Sequence, residues 1–231
     1  MIDFDALSPQ PVILTDGRAI VLDLSAGSMQ LGEPLPGLSV ARFSELVDNV
    51  MAEAQTGFAY GRWGERRELY SNALFANDDP DARRDVHLGV DVFCAPGTEV
   101  RAPLPGRVVV NANNARELDY GPLLVLEHET DSGSFFTLYG HLALDSIAAM
   151  TEGTAVEAGE GIARVGAPPE NGNWAPHLHF QPILDLLGLD ADFPGVASRK
   201  EKDKWFELSP LPGVFFPDCD ASQLDGSNTA S

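Results

Sequence analysis

The chain predicts a mainly β fold, an antiparallel sheet packed as a sandwich or barrel, and three observations carry that reading. From residue 87 onward, short apolar runs at 90–94, 100–102, 107–110, 123–127, 135–139, 162–165 and 177–183 alternate with Gly, Pro and Asn. Many short strands closed by turn residues are the pattern of a sandwich or barrel. No internal repeat of roughly 20–50 residues interrupts it, and no apolar run reaches the ~18 residues that a membrane-spanning helix needs.

The elements follow in order. Residues 12–24 place two apolar runs around Asp16-Gly17, a strong hairpin signal. Gly and Pro break the chain over 27–37. Ser39 is a candidate N-cap, and Val40, Phe43, Leu46, Val47, Val50, Met51 and Ala54 follow at helical spacing. Gly57 can end that helix, and its apolar stripe reads as core packing. Residues 1–83 thus form an N-terminal extension of mixed α/β character, a hairpin plus one helix. Its last part interleaves Phe58, Tyr60, Trp63, Tyr70 and Phe75 with Arg62, Arg66 and Arg67, and Arg83 and Arg84 follow. This stretch reads as rings packed on the next domain, with a substrate surface of arginine forks and aromatic faces as the alternative. The main domain spans 84–183. Residues 184–217 mix apolar and proline positions and wrap the surface. Residues 218–231 are small, polar and acidic and are expected to form an irregular, disordered tail.

At 231 residues and 44% hydrophobic composition the chain can bury a full core. Its 35 Asp and Glu against 15 Lys and Arg give a net charge of -20. Such a field repels nucleic acid and anionic membranes. It gives no attraction toward an anionic cell wall either. Cys94 and Cys219 lie far apart in sequence and read as two free thiols, Cys94 as a small buried strand residue. Met1 is followed by no basic stretch and no apolar h-region. The cytoplasm is therefore the expected location, with the periplasm or exterior open if a leader precedes this sequence.

Four of the five histidines fall into one pattern: His87-Leu-Gly-Val-Asp91, Tyr139-Gly-His141 and Pro176-His177-Leu-His179. On a strand, residues i and i+2 share a face, so His177 and His179 look into one cleft. One can bind a metal while the other touches the water beside it. His87 and Asp91 would lie about 13 Å apart on an extended strand, too far to share an ion. The chain must bend between them, and Gly89 permits that bend. Two imidazoles and one carboxylate suit catalytic zinc. No His-Glu-x-x-His occurs, so the glutamate base of helical zinc proteases is absent. Proton transfer then falls to His141 and to the non-ligating member of the 177/179 pair.

These residues resemble the lysostaphin-type, or LytM-domain, metallopeptidases. His87-Leu-Gly-Val-Asp-Val and Ala95-Pro-Gly-Thr-Glu-Val-Arg-Ala-Pro-Leu-Pro-Gly-Arg-Val108 are similar to that family's zinc-ligand strand and following hairpin. Tyr139-Gly-His-Leu142, Val156-Glu-Ala-Gly-Glu-Gly-Ile-Ala-Arg-Val-Gly166 and Ala175-Pro-His-Leu-His-Phe180 match its later motifs in order. The resemblance implies an antiparallel sheet core of the LytM peptidase type and a zinc endopeptidase that cleaves peptides of peptidoglycan type. It implies that His87, Asp91 and His179 hold Zn²⁺ and that His141 and His177 serve as catalytic helpers. The expected partner is a peptide or peptidoglycan-derived substrate, with no nucleic acid and no membrane span.

Rival readings are a cytosolic zinc hydrolase of the same fold acting on a small non-wall substrate, and a catalytically silent binding module. A biotinyl or lipoyl carrier is set aside, because such carriers need a lysine on a β-turn and the only lysines are Lys200, Lys202 and Lys204. Of the remaining residues, His128 between Glu127 and Glu129 reads as solvated surface. Tyr139 shares a strand face with His141 and is expected to line the cleft. Trp174 is a candidate pocket wall or an ordinary packing residue.

Overall fold

The structure, a computed structural model, describes residues 2–70 and 73–230. The strands and helices in chain order begin with β1 (Ile20–Leu22), α1 (Val40–Glu53), β2 (Ala59–Gly61), β3 (Arg84–His87) and β4 (Val90–Phe93). They continue with β5 (Glu99–Arg101), β6 (Gly106–Asn114), β7 (Gly121–Thr130), β8 (Gly133–Gly140), β9 (Ala155–Val156), β10 (Gly161–Arg164) and β11 (His177–Ile183). β12 (Val196–Ser198), α2 (Lys202–Leu208) and α3 (Ala221–Leu224) complete the order. The fold is mainly β. One eight-stranded sheet runs β1-β2-β4-β11-β8-β7-β6-β9, and β10-β5 and β12-β3 form two small pairs. Every pairing is antiparallel except β1 with β2.

The register of the central strands sorts their side chains. Phe180 sits opposite Val90 and Tyr139, and Leu178 opposite Val92. That face joins Leu124, Leu126 and Val100 in the main core and is capped by Phe215 and Phe216. On the other face His179 lies opposite Asp91 and Gly140, and His177 opposite Phe93. β7 is buried on both faces because Leu123 and Val125 pack against Ile183 and Phe193 on the second side. The sheet is therefore covered on one side by apolar core and opens its other side, at β4 and β11, as the floor of a site.

Helix α1 forms as its pattern dictates. Ser39 accepts from the Arg42 amide, and Phe43, Leu46, Val47 and Met51 are buried. The Phe43 ring meets Phe93 of β4 edge-on. A left-handed turn at Gln55 (φ 55°), rather than Gly57, follows the helix. The hairpin expected over 12–24 does not form. Gly17 makes the turn with φ 75°, but its two arms find different partners. Val12 accepts from the Arg101 amide beside β5, whereas β1 pairs in parallel with β2. Long-range pairing has overridden the local turn signal.

The tail also departs from expectation. Residues 218–230 carry α3, and Leu224 is fully buried. The Trp63 amide donates to Leu224 and the Gly226 amide to Trp63, so the segment is held against the extension. Ser231 lies outside the described residues. His128 is not on the surface either: it is fully buried, bonded at Nδ1 to the Pro105 carbonyl and at Nε2 to Thr137 Oγ1. Among the described residues no helix is long and apolar enough to cross a membrane. Cys94 and Cys219 are free thiols, Cys94 buried.

Candidate metal centre

β3 ends at His87 and β4 starts at Val90, so the chain bends over Leu88 and Gly89 and brings His87 back toward Asp91. His87 Nε2 lies 3.1 Å from Asp91 Oδ1. β11 supplies the third donor across the ladder: His179 Nδ1 is 3.1 Å from the same oxygen and 3.0 Å from His87 Nε2. All three residues are buried. Gly89 is needed for space rather than for an unusual backbone angle. A Cβ there would stand 2.6 Å from the Phe180 carbonyl and 2.7 Å from His179 Cε1.

The protons on these rings are fixed by what the opposite nitrogens touch. His87 Nδ1 faces the Arg62 carbonyl at 2.9 Å, which can only accept, so Nδ1 carries the hydrogen. Gln181 donates its amide to the Pro194 carbonyl and to Ser209 Oγ, which turns its Oε1 toward His179 Nε2 at 2.9 Å. His179 Nε2 therefore carries the hydrogen. The two nitrogens that face each other are both bare lone pairs, next to a carboxylate oxygen. Three converging acceptors with no donor between them repel one another unless a cation sits among them. Their mutual distances of 3.0–3.1 Å fall a few tenths of an ångström short of the roughly 3.3–3.6 Å expected across a tetrahedral ion with bonds of about 2.0–2.2 Å, so small side-chain shifts would seat one. The donor set therefore fits a zinc-type ion, and His87, Asp91 and His179 can hold one.

Burial pushes the His87 imidazole down to about 4. Burial would raise the Asp91 carboxyl, but the neighbouring His87 and Arg67 outweigh it and hold it well below the usual range. Of these two, only Arg67 is charged at neutral pH, and its Nη1 donates to Asp91 Oδ2 at 2.5 Å.

His141 and His177 stand beside the three donors. Their ring centroids are 4.3 Å apart, and His177 Nε2 is 3.6 Å from Asp91 Oδ1. His177 Nδ1 donates to the Ala175 carbonyl and His141 Nδ1 to the Asn171 carbonyl. Both therefore keep a bare Nε2. Burial lowers both imidazoles, helped at His141 by its histidine neighbours, so both are neutral at pH 7. His141 holds a left-handed backbone (φ 64°), pinned by its amide on the Tyr120 carbonyl and by the Gly166 amide on its own carbonyl. A non-glycine residue there is strained by about 1–3 kcal/mol. That turn also corrects the reading of Tyr139. The strand ends at Gly140, so Tyr139 and His141 do not share a face, and Tyr139 points into the main core against Phe180.

His87, His141, His177 and His179 line a pocket that opens to solvent. Trp174 is one wall, edge-on to His141 and His177. Tyr70 and Phe75 from the N-terminal extension, Arg84 at the start of β3 and residues 191–196 supply others. Sequence reading missed three groups at this site: Arg67, Gln181 and the Arg62 carbonyl. Gln181 was findable, since it follows His179 by two on the same strand face. Arg67 carried no signal beyond its place among aromatics.

Residues 85–185 match the model of peptidase family M23. This segment is an M23 peptidase domain. No curated protein matches the chain. Among solved structures, a zinc-containing peptidase from Vibrio cholerae is 30% identical over 47% of this chain and 30% of its own, with a TM-score of 0.36. The catalytic domain of the antimicrobial peptidase lysostaphin from Staphylococcus simulans is 27% identical over 52% of this chain and 80% of its own, with a TM-score of 0.37. LytU is 26% identical over 62% and 87%, also at 0.37. This chain covers only 30% and 37% of the first two solved structures it resembles. The M23 domain contains all three candidate ligands and both helper histidines. The pocket walls before residue 85 and after residue 185 lie outside it.

Proposed function

We propose that this chain is a zinc-dependent hydrolase that cleaves peptide bonds within peptides of peptidoglycan type. The observation that carries the reading is the set of three buried, mutually repelling lone pairs on His87, Asp91 and His179, flanked by two neutral imidazoles with bare Nε2 atoms. Zn²⁺ held there supplies a Lewis acid that polarises a scissile carbonyl and makes water acidic near neutral pH. The chain's own groups do the rest. His177 or His141 takes a proton at Nε2 as water attacks, and returns it to the departing amine. The protonated imidazole also offers an N–H to charge that develops on the carbonyl oxygen. The Ala175 and Asn171 carbonyls hold both rings in the tautomer that this work requires.

A cytosolic hydrolase acting on a small non-wall substrate is the second reading, favoured by the net charge of -20. Metal analysis of the purified chain, followed by incubation with purified peptidoglycan, glycine-rich peptides and short soluble dipeptides, tests both. One bound zinc and release of peptides from peptidoglycan or glycine-rich chains support the first reading. Zinc with cleavage of dipeptides alone replaces it with the second. A chain with no affinity for zinc and no turnover is a binding module, and both readings fall.

A further inference from the structure

One stretch outside the M23 domain, Arg62 to Arg67, orients two of the three candidate ligands. The Arg62 carbonyl accepts from His87 Nδ1. The Arg67 guanidinium lies 3% exposed behind Asp91 and uses three separate donors. Nη1 donates to Asp91 Oδ2 at 2.5 Å, Nε to Glu65 Oε2 at 2.9 Å and Nη2 to the Arg62 carbonyl at 3.2 Å. Glu65 is itself fully buried and takes Arg62 Nε at 2.8 Å and the Leu24 amide at 3.1 Å on its other oxygen. Gly61 leaves the room for this fork, because a Cβ there would stand 2.7 Å from Arg67 Nη2.

We propose that Arg67 is a positioning residue that occupies Asp91 Oδ2 and so limits Asp91 to a single ligand atom, Oδ1. The inference rests on the reading of His87, Asp91 and His179 as a metal site. A carboxylate with two free oxygens can grip a divalent ion with both and raise its coordination number. With Oδ2 taken by a charge-assisted hydrogen bond, only Oδ1 faces His87 and His179. A coordination position is thereby kept for water or substrate. A lysine cannot replace the fork. Its single point charge reaches one carboxylate, whereas the guanidinium spans Glu65, Asp91 and the Arg62 carbonyl at fixed angles. The metal site of this protein is therefore completed by its N-terminal extension.

Cobalt replaces zinc for the test, since its visible absorption is strong in four-coordinate sites and weak in five-coordinate ones. The full chain, Arg67→Met and Arg67→Lys are stripped of metal and titrated with Co²⁺, with circular dichroism as the check on folding. The wild type is expected to show the strong four-coordinate bands, and both variants bands several-fold weaker. Arg67→Lys keeps the buried charge and carries the test if Arg67→Met does not fold. Equal spectra in wild type and Arg67→Lys overturn the proposal while leaving the metal site intact. A wild type that takes up no Co²⁺ removes the metal reading itself, and the role of Arg67 with it.

Discussion

Gly89 and His179 are packed so closely that the imidazole of one occupies the space where any side chain of the other would begin. Its virtual Cβ lies 2.7 Å and 2.8 Å from two ring atoms and 2.6 Å from the neighbouring Phe180 carbonyl. The carbonyl belongs to the central sheet and cannot move aside. Gly89→Ala is therefore expected to displace the ring, destabilise the chain by about 1–3 kcal/mol as overpacking does, and weaken zinc binding. Urea unfolding and zinc titration of the variant check both effects, and an unchanged zinc affinity would refute this account of the glycine.

The two kinds of histidine should separate by experiment. His179→Ala removes a donor and is expected to lose zinc together with activity. His141→Ala keeps the donor triad and should retain zinc while turnover falls about 10²–10⁴-fold, the usual contribution of a general acid or base. Metal content and steady-state rates measured on the same preparations decide; equal zinc loss in both variants contradicts the division of labour.

Gln181 fixes the tautomer of His179 through its Oε1 and is itself locked by Pro194 and Ser209. Gln181→Met keeps the volume and removes the acceptor. Zinc affinity should fall about 10–100-fold, as is typical when the outer partner of a ligating histidine is lost. Competition with a chelator of known affinity measures it.

Acid should weaken the metal-free protein well above the range where carboxylates titrate. Unfolded, an imidazole takes its proton near pH 6.5. Folded, burial holds His87 down to about 4 and also lowers His128, His141 and His177. Between those limits the unfolded chain binds more protons than the folded one, so stability falls as pH drops from about 6.5 toward 4. Below that window His87 contributes no further change. The total is expected to be a few kcal/mol. Urea midpoints of the metal-free chain from pH 7.5 down to about 4.5 should decline steadily; a flat profile is incompatible with neutral buried imidazoles.

Leu224→Ala tests the docked tail. Leu224 is fully buried in the main core and its carbonyl accepts from Trp63. A loss of about 2–5 kcal/mol is expected for a buried leucine, read from thermal or denaturant unfolding. A change within ~0.5 kcal/mol would match a surface position instead.

The strands and the convergence of the histidines with Asp91 were legible because they rest on short-range rules, whereas the choice of His179 over His177 as donor came from the family resemblance. Period-two alternation set His177 and His179 on one face, and the bend needed between His87 and Asp91 followed from strand length alone. What escaped depends on distant partners. The arms around Gly17 pair with β2 and β5, which no turn rule can foresee. His128 lies between two glutamates in sequence yet is sealed by Pro105 and Thr137. Arg67 meets Asp91 across 24 positions of chain with no periodic relation between them. The left-handed backbone at His141 likewise broke the face count that had placed Tyr139 in the cleft.

Trp63 is clasped by Leu224 and Gly226 and is the immediate neighbour of Arg62, whose carbonyl steers His87. A chain cut before residue 224 lacks the latch on Trp63. The docked tail thereby braces, through Trp63 and Arg62, the ring of His87 far upstream of it.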